Sequence, residues 1–337
     1  MKLVVVTQRV DPADPGLGAT VDKLRALAAR VDELVVMADS AVDGVLPANC
    51  RVRPYRSKLR AGRGLRFETA LARELASRPR PTAVLAHMCP IYAVLAAPLA
   101  RPAGTKVLLW FTHWRRSSLL AAAERLSTTV LSVDERTFPL RSRKLVAIGH
   151  GIDVSGFACR ERPERTPTLL ALGRTSPAKG LETIVRAVAQ VDDVNLLVHG
   201  PSLTEEERRH RVALERLVIE LGLLDRVEVR GPVPRHTVPG LYGEVDALVN
   251  DMRPGATDKV VYEAAATCLP VIASNPALDT LLPAELMFPH GDVDGLAAAI
   301  LRLGEIDRNG VGRALREKVV RDHSVDVWAE RVVELAR

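Results

Sequence analysis

Short unbroken apolar runs alternate along this chain with stretches whose apolar positions recur every three or four residues. In the first half the runs fall at Leu3–Thr7, Leu34–Ala38, Ala83–Ala86, Val107–Phe111, Thr129–Ser132 and Leu145–Ile148. In the second half they fall at Thr168–Leu172, Asn195–Val198, Val227–Arg230, Ala247–Val249, Val271–Ala273 and Met287–Phe288. Continuous rather than alternating hydrophobicity predicts strands covered on both faces, as in parallel sheets. Helical periodicity lies between them, at Ala19–Arg30, Phe67–Ser77, Leu181–Val191, Thr204–Leu221, Asp258–Thr267 and Val293–Leu303. The pattern predicts an α/β protein with two Rossmann-like, doubly wound parallel sheets, residues 1–150 and 151–322. Between them "GHGIDVSGFACRERPERTP", from Gly149 to Pro167, reads as a linker rich in Gly, Pro and charge. The C-terminal "HSVDVWAERVVELAR" predicts an amphipathic helix with Val325, Trp328, Val332 and Leu335 on one face.

A length of 337 residues with 47% hydrophobic content is enough for two cores. No apolar run reaches the roughly 18 residues of a membrane span, and "MKLVVVTQ" is too short for a signal peptide, so a cytoplasmic protein is expected. Cys50, Cys89, Cys159 and Cys268 show no CxxC pair and no zinc spacing; they read as reduced thiols. The net charge of +6 conceals a division. Residues 1–150 hold 24 basic and 12 acidic side chains, and residues 151–337 hold 23 and 29. A basic half predicts an anionic partner or surface.

In doubly wound sheets that face one another, ligands meet the carboxyl ends of strands. After the first strand stand Gly16 and Gly18, either a plain turn or a close approach to ligand; the G-x-G-x-x-G spacing fails, because Val21 stands where the third glycine belongs. His87 and His113 follow strands of the first half, either as solvated residues or as parts of one pocket. In "ALGRTSPAKGLETIV", Arg174 and Lys179 follow a buried strand, which fits either solvation or a bound anion. The segment is not a P-loop, since a glycine before the lysine is missing. In "GATDKVVYEAAATCLPVIAS", Thr257 is a candidate N-cap for a helix that carries Glu263 about 9 Å further along its axis. Asp258 at that helix start competes with phosphate, and Lys259 is placed to offset it. A carboxylate amid Val260, Val261 and the alanines 264–266 needs a partner, and a ribose diol is one it can accept from.

These segments, with "LLVHGPS" and "LDRVEVRGPVPRHTVPGLYGEVDALV", resemble the donor domain of family 4 glycosyltransferases; "VTQRVDPADPGLG", "WFTHW" and "GHGID" resemble the family's first domain. The resemblance implies a GT-B fold, two such domains facing across a cleft, with the helix at 323–337 crossing back to the first. It implies a retaining, metal-independent transferase moving sugar from a nucleoside diphosphate, UDP or GDP, with no cofactor. Arg174 and Lys179 would grip the diphosphate, and Glu263 the ribose. Thr257, Asp258 and Lys259 would stand at the helix mouth, Gly231 and Val233 along the base, and His113 beside the donor sugar. On the acceptor side would lie Asp14, Gly16, Gly18 and His87. The family signature pairs two glutamates eight positions apart. Glu263 matches the second, but Gly255 occupies the first, which leaves the donor sugar open, with Asp258 or Asp251 as substitutes. Two other readings remain: an inactive GT-B scaffold or partner subunit, and another GT-B nucleotide-sugar enzyme such as an epimerase.

The stretch "CRVRPYRSKLRAGRGLR" carries Arg51, Arg53, Arg56, Lys58, Arg60, Arg63 and Arg66 without an acid. It reads either as a solvated face or as a patch for an anionic or lipid-linked acceptor and the inner face of a membrane. Nucleic acid is not expected, since aromatic content is 4% and no reader motif is present.

Overall fold

The computed structural model describes residues 1–14, 16–163 and 166–337. They form two compact units, Met1–Asp153 with Asp322–Arg337, and Val154–Arg321.

The first unit is built from β1 (Lys2–Val10), α1 (Ala19–Ala28), β2 (Glu33–Ala41), β3 (Cys50–Pro54), α2 (Arg60–Ala76), β4 (Ala83–His87), α3 (Pro90–Ala100), β5 (Lys106–Trp110), α4 (Ser118–Leu126), β6 (Thr129–Ser132) and β7 (Leu145–Ala147). Its seven strands run parallel in the order β3-β2-β1-β4-β5-β6-β7. Strand β3 escapes the hydrophobic pattern because it is an edge strand with exposed arginines. Helix α2 starts seven residues before the predicted Phe67, in a turn that carries Gly62, Arg63 and Gly64, too polar to show an apolar face. Helix α3 is apolar on all sides and so has no period to read.

The second unit holds β8 (Thr168–Leu172), α5 (Leu181–Ala189), β9 (Asn195–His199), α6 (Glu205–Glu220), β10 (Val227–Arg230), α7 (Val238–Glu244), β11 (Ala247–Asn250), α8 (Lys259–Ala266), β12 (Val271–Ala273), α9 (Val293–Leu303) and α10 (Arg308–His323), the last running two residues past the unit's end. Five parallel strands lie in the order β10-β9-β8-β11-β12. The sixth predicted strand, Met287–Phe288, is reduced to one bridge from Met287 to Ala273. One face of the sheet packs Leu169, Leu196 and Val249 against Ile184, Leu214 and Leu296. Burying such side chains stabilises by about 1.5–3 kcal/mol each.

Helix α11 (Val325–Ala336) closes the first unit. Its entry is tied down by backbone bonds from Gly151 and Ile152 to the His323 carbonyl, at 3.0 and 2.8 Å. Gly149 has φ +80°, and a Cβ there would stand 2.0 Å from the Asp322 carbonyl oxygen. The "GHG" segment is glycine-flanked because chain passes against it. The rest of the linker belongs to the second unit: Arg162 is buried and donates to the carbonyls of Tyr242, Val245 and Thr267. Cys159 and Cys268 are joined by a disulfide, which corrects the reading of four reduced thiols; Cys50 and Cys89 are free. A pair 109 residues apart leaves no spacing motif to read.

Candidate functional site

Both sheets reverse strand order at their first strand, so each has a switch point: β1/β4 in the first unit and β8/β11 in the second. Arg174 and Lys179 follow β8, and Asn250 and Asp251 end and follow β11.

In the second unit every charge at this switch point has a partner. Lys179 is 15% exposed and bonds Asp258, which also accepts from Asn250 Nδ2 at 3.2 Å. The lysine stem crosses Gly173, whose φ is +141° and whose Cβ would sit 2.9 Å from Nζ. Asp258, not Thr257, occupies the N-cap position of α8, and its carboxylate makes no cap bond because it turns to Lys179. Lys179 therefore neutralises the helix mouth. Lys259 does not; it reaches along α8 to Glu263 at 3.0 Å. Thr257 is left buried, its hydroxyl without a hydrogen-bond partner among the described residues.

Arg174 is half exposed and bonds the buried Glu207. Glu207 also accepts the N–H groups of Leu203, at 2.7 Å, and Thr204, at 3.2 Å, closing a capping box on α6. Burial pushes its carboxyl up, but those two N–H groups and Arg174 outweigh it and hold it below the usual range. Glu263 is buried within 3.4 Å of the Tyr242 hydroxyl, with Arg235 at 3.7 Å. Burial, then the negative charges of Glu263 and Asp258, drives the Tyr242 phenol well above its ordinary value, so it stays a neutral donor. Gly231 and Val233 follow β10, half buried, and the Gly231 carbonyl meets His199 Nδ1 at 3.2 Å. At Gly255 the backbone takes φ +104°, a conformation that L side chains rarely adopt, so this loop shape excludes a glutamate there. Neither substitute carboxylate is free either: Asp258 holds Lys179, and Asp251 accepts from His290 Nδ1 at 2.8 Å and Gly291 N at 3.2 Å.

In the first unit, Asp14 turns into its own loop. It accepts from Gly16 and Leu17 N–H at 2.9 and 2.8 Å and pairs with Arg9 at 2.9 Å. Burial raises its pKa, but the Leu17 and Gly16 bonds and Arg9 outweigh it and leave it lowered. Gly18 is buried in the α1 N-cap position with φ −53°, open to any residue. His87 and His113 end up in different settings. His87 is 5% exposed, its ring 6.4 Å from both Trp110 and Trp328. His113 is half buried beside Trp114 at 5.2 Å, and its Nδ1 accepts the Arg115 N–H at 3.0 Å. Burial, then the Arg115 charge, lowers its pKa. With Nδ1 accepting, the neutral ring carries its proton on Nε2.

The basic segment divides. Arg51 and Arg53 lie on β3 and are spent on Glu33 and the buried Glu74, which also takes Lys2 at 2.6 Å. Arg56, Lys58, Arg60, Arg63 and Arg66 neighbour in sequence Leu59 and Leu65, which are 73% and 66% exposed. Among the described residues no helix is long and apolar enough to cross a membrane, and no three His, Cys, Asp or Glu side chains converge to hold a metal.

Sequence reasoning missed Glu207, Tyr242, Arg235, Asn250 and His290. Only Glu207 left a local signal, the T-x-x-E of a capping box.

The two parallel-sheet units have the GT-B fold, and the chain is similar to glycosyltransferases of the family 4 type. Residues 166–305 match the sequence family "Glycosyl transferases group 1". A GDP-mannose-dependent alpha-(1-6)-phosphatidylinositol monomannoside mannosyltransferase of Mycobacterium tuberculosis is 28% identical over 286 residues, 72% of either chain. The fold matches sucrose-phosphate synthase from Thermosynechococcus elongatus, with TM-score 0.79 and 21% identity over 99% of this chain and 98% of that one. It also matches Anabaena HepE in complex with UDP and glucose, with TM-score 0.77 and 16% identity over 99% of both.

Proposed function

We propose that this chain transfers a sugar from a nucleoside diphosphate sugar, with retention of anomeric configuration and without a metal ion. The observation that carries the reading is the β8 end. Arg174 and Lys179 are each held by one carboxylate, and Lys179 touches the α8 cap beside the unpartnered Thr257 hydroxyl. An ammonium has three donors and a guanidinium five, so both keep N–H groups for phosphate oxygens after pairing. As the bond to the sugar breaks, negative charge grows on the leaving diphosphate, and these two cations offset it. Thr257 and the α8 N-terminus add donors. Glu263, about 7.5 Å along α8 from Asp258, accepts the ribose hydroxyls, with Tyr242, Lys259 and Arg235 sustaining its charge. Gly231 and Val233 border the base. His113 donates through Nε2 to a donor-sugar hydroxyl, and the Asp14–Gly18 loop lies on the acceptor side.

The names of the relatives direct the choice of donor to UDP- and GDP-sugars. The acceptor is read as anionic or lipid-linked, because the mycobacterial relative's name specifies a phosphatidylinositol monomannoside and because five cations neighbour the exposed Leu59 and Leu65 in sequence. Each basic residue near an anionic bilayer contributes about 1 kcal/mol, and two exposed leucines can insert, which supports reading the protein as peripheral at the inner face of the membrane.

Thermal unfolding with UDP, GDP, ADP, CDP and dTDP tests the donor reading. Ligand at 100 times Kd adds about 2.7 kcal/mol. One nucleotide is expected to stabilise the wild type but not Arg174→Ala or Glu263→Gln. Stabilisation by none would favour an inactive scaffold. Sedimentation with phosphatidylglycerol vesicles tests the membrane contact, and wild type left in the supernatant at low salt would reject it.

A further inference from the structure

We propose that His290, positioned by the buried Asp251, is the hydrogen-bond acceptor for a hydroxyl of the donor sugar ring, which occupies the cavity His290 lines. This rests on the nucleotide-sugar reading above. The cavity lies past the carboxyl ends of β11 and β12, has a volume of about 500 Å³, and its walls include Pro254, Ser274, Asp279, Met287, Phe288 and His290. That size accommodates a hexose, and mostly apolar walls with a few fixed polar groups are what small-ligand sites present.

The pair is built rather than casual. Asp251 is 0% exposed, and one oxygen takes both His290 Nδ1 and the Gly291 N–H. Its other oxygen has no hydrogen-bond partner and abuts Gly180, where a Cβ would stand 2.1 Å away. Asp251 thus spans from the turn that carries Lys179 to the cavity wall. An accepting carboxylate fixes the imidazole proton on Nδ1. The lone pair of Nε2 is then the ring's remaining hydrogen-bonding site, and His290 is 37% exposed. A lone pair there does for a sugar hydroxyl what a carboxylate does: it accepts. Gly255 supplies no side chain, and Asp258 and Asp251 are engaged; on the cavity wall, which also carries the exposed Asp279, His290 is the acceptor whose orientation the buried Asp251 fixes.

Titration calorimetry with UDP, GDP, ADP, CDP and dTDP and their hexose conjugates tests this on the full chain. His290 is partly exposed, so its variants are expected to fold. His290→Leu is expected to weaken the conjugate about tenfold, the order of one hydrogen bond, and to leave the bare nucleotide unchanged. His290→Gln, whose amide oxygen accepts, is expected to stay close to wild type. Equal weakening of nucleotide and conjugate by His290→Leu, or no change in either, overturns the subsite alone. A wild type that binds none of the panel overturns the donor reading itself, and the subsite with it.

Discussion

Acidification below pH 7 is expected to destabilise the first unit through His87. The imidazole ends β4, 5% exposed, and neither ring nitrogen has a hydrogen-bond partner among the described residues. Trp110 lies nearly parallel to it, 12° off, and Trp328 meets it edge-on at 84°. The Lys23 ammonium lies over the same two rings, 4.7 Å from Trp110 and 5.0 Å from Trp328. Burial, then the Lys23 charge, pushes the His87 pKa well below its ordinary value. The unfolded chain, with a pKa near 6.5, takes the proton first, so stability is full above that value and erodes as pH falls below it. While the folded ring stays neutral the loss is RT ln(1 + 10^(6.5 − pH)), close to zero at pH 7.5 and about 1 kcal/mol at pH 5.5. The protein's three tryptophans, Trp110, Trp114 and Trp328, all lie in the first unit, so urea denaturation followed by their fluorescence reports that unit. His87→Leu removes the titration, and groups common to both proteins cancel in the difference. Wild type should lose about 1 kcal/mol more than the variant between the two pH values. Parallel curves would refute a neutral, trapped imidazole.

Other perturbations bear on the second unit and the chain return. Lys179→Met strands the 15%-exposed Asp258 and should cost about 3 kcal/mol. Adding Asp258→Asn should recover most of it in urea titrations, and equal costs for single and double variants would contradict the pairing. Glu207→Gln should cost about 1–2 kcal/mol at pH 7, through the lost Arg174 pair and the weaker, uncharged cap. Because the folded Glu207 pKa is depressed, that contribution is present above the ordinary carboxylate range and disappears as pH falls through the folded value. The variant's stability should therefore converge on wild type in acid. Gly149→Ala should destabilise the first unit by about 2 kcal/mol or more, since the Cβ meets the Asp322 carbonyl at positive φ; an unchanged denaturation midpoint would show that the chain return is not tight.

Strands β8 and β12 were legible to the residue, because a covered parallel strand leaves an unbroken apolar run between polar ends. Strand β3 was not, because its arginines bond Glu33 and Glu74 rather than a core, and no apolar run marks it. At the site, the positions of Arg174, Lys179 and Glu263 followed from strand-end logic. Their immediate partners did not: Thr257 was the expected cap, yet Asp258 takes the position because Lys179 comes to meet it.

By itself the sequence determined that two parallel sheets would form and that cations would surface where β8 ends. Burial period and turn chemistry are local properties, written within ten residues of where they act. Only the tertiary structure decided which charges meet. Lys179 finds Asp258 across 79 residues, His290 finds Asp251 across 39, and Cys159 finds Cys268 across 109. Each meeting depends on a crossover that carries the chain from one strand to a neighbour that is not next in sequence, and no local pattern records where that crossover lands.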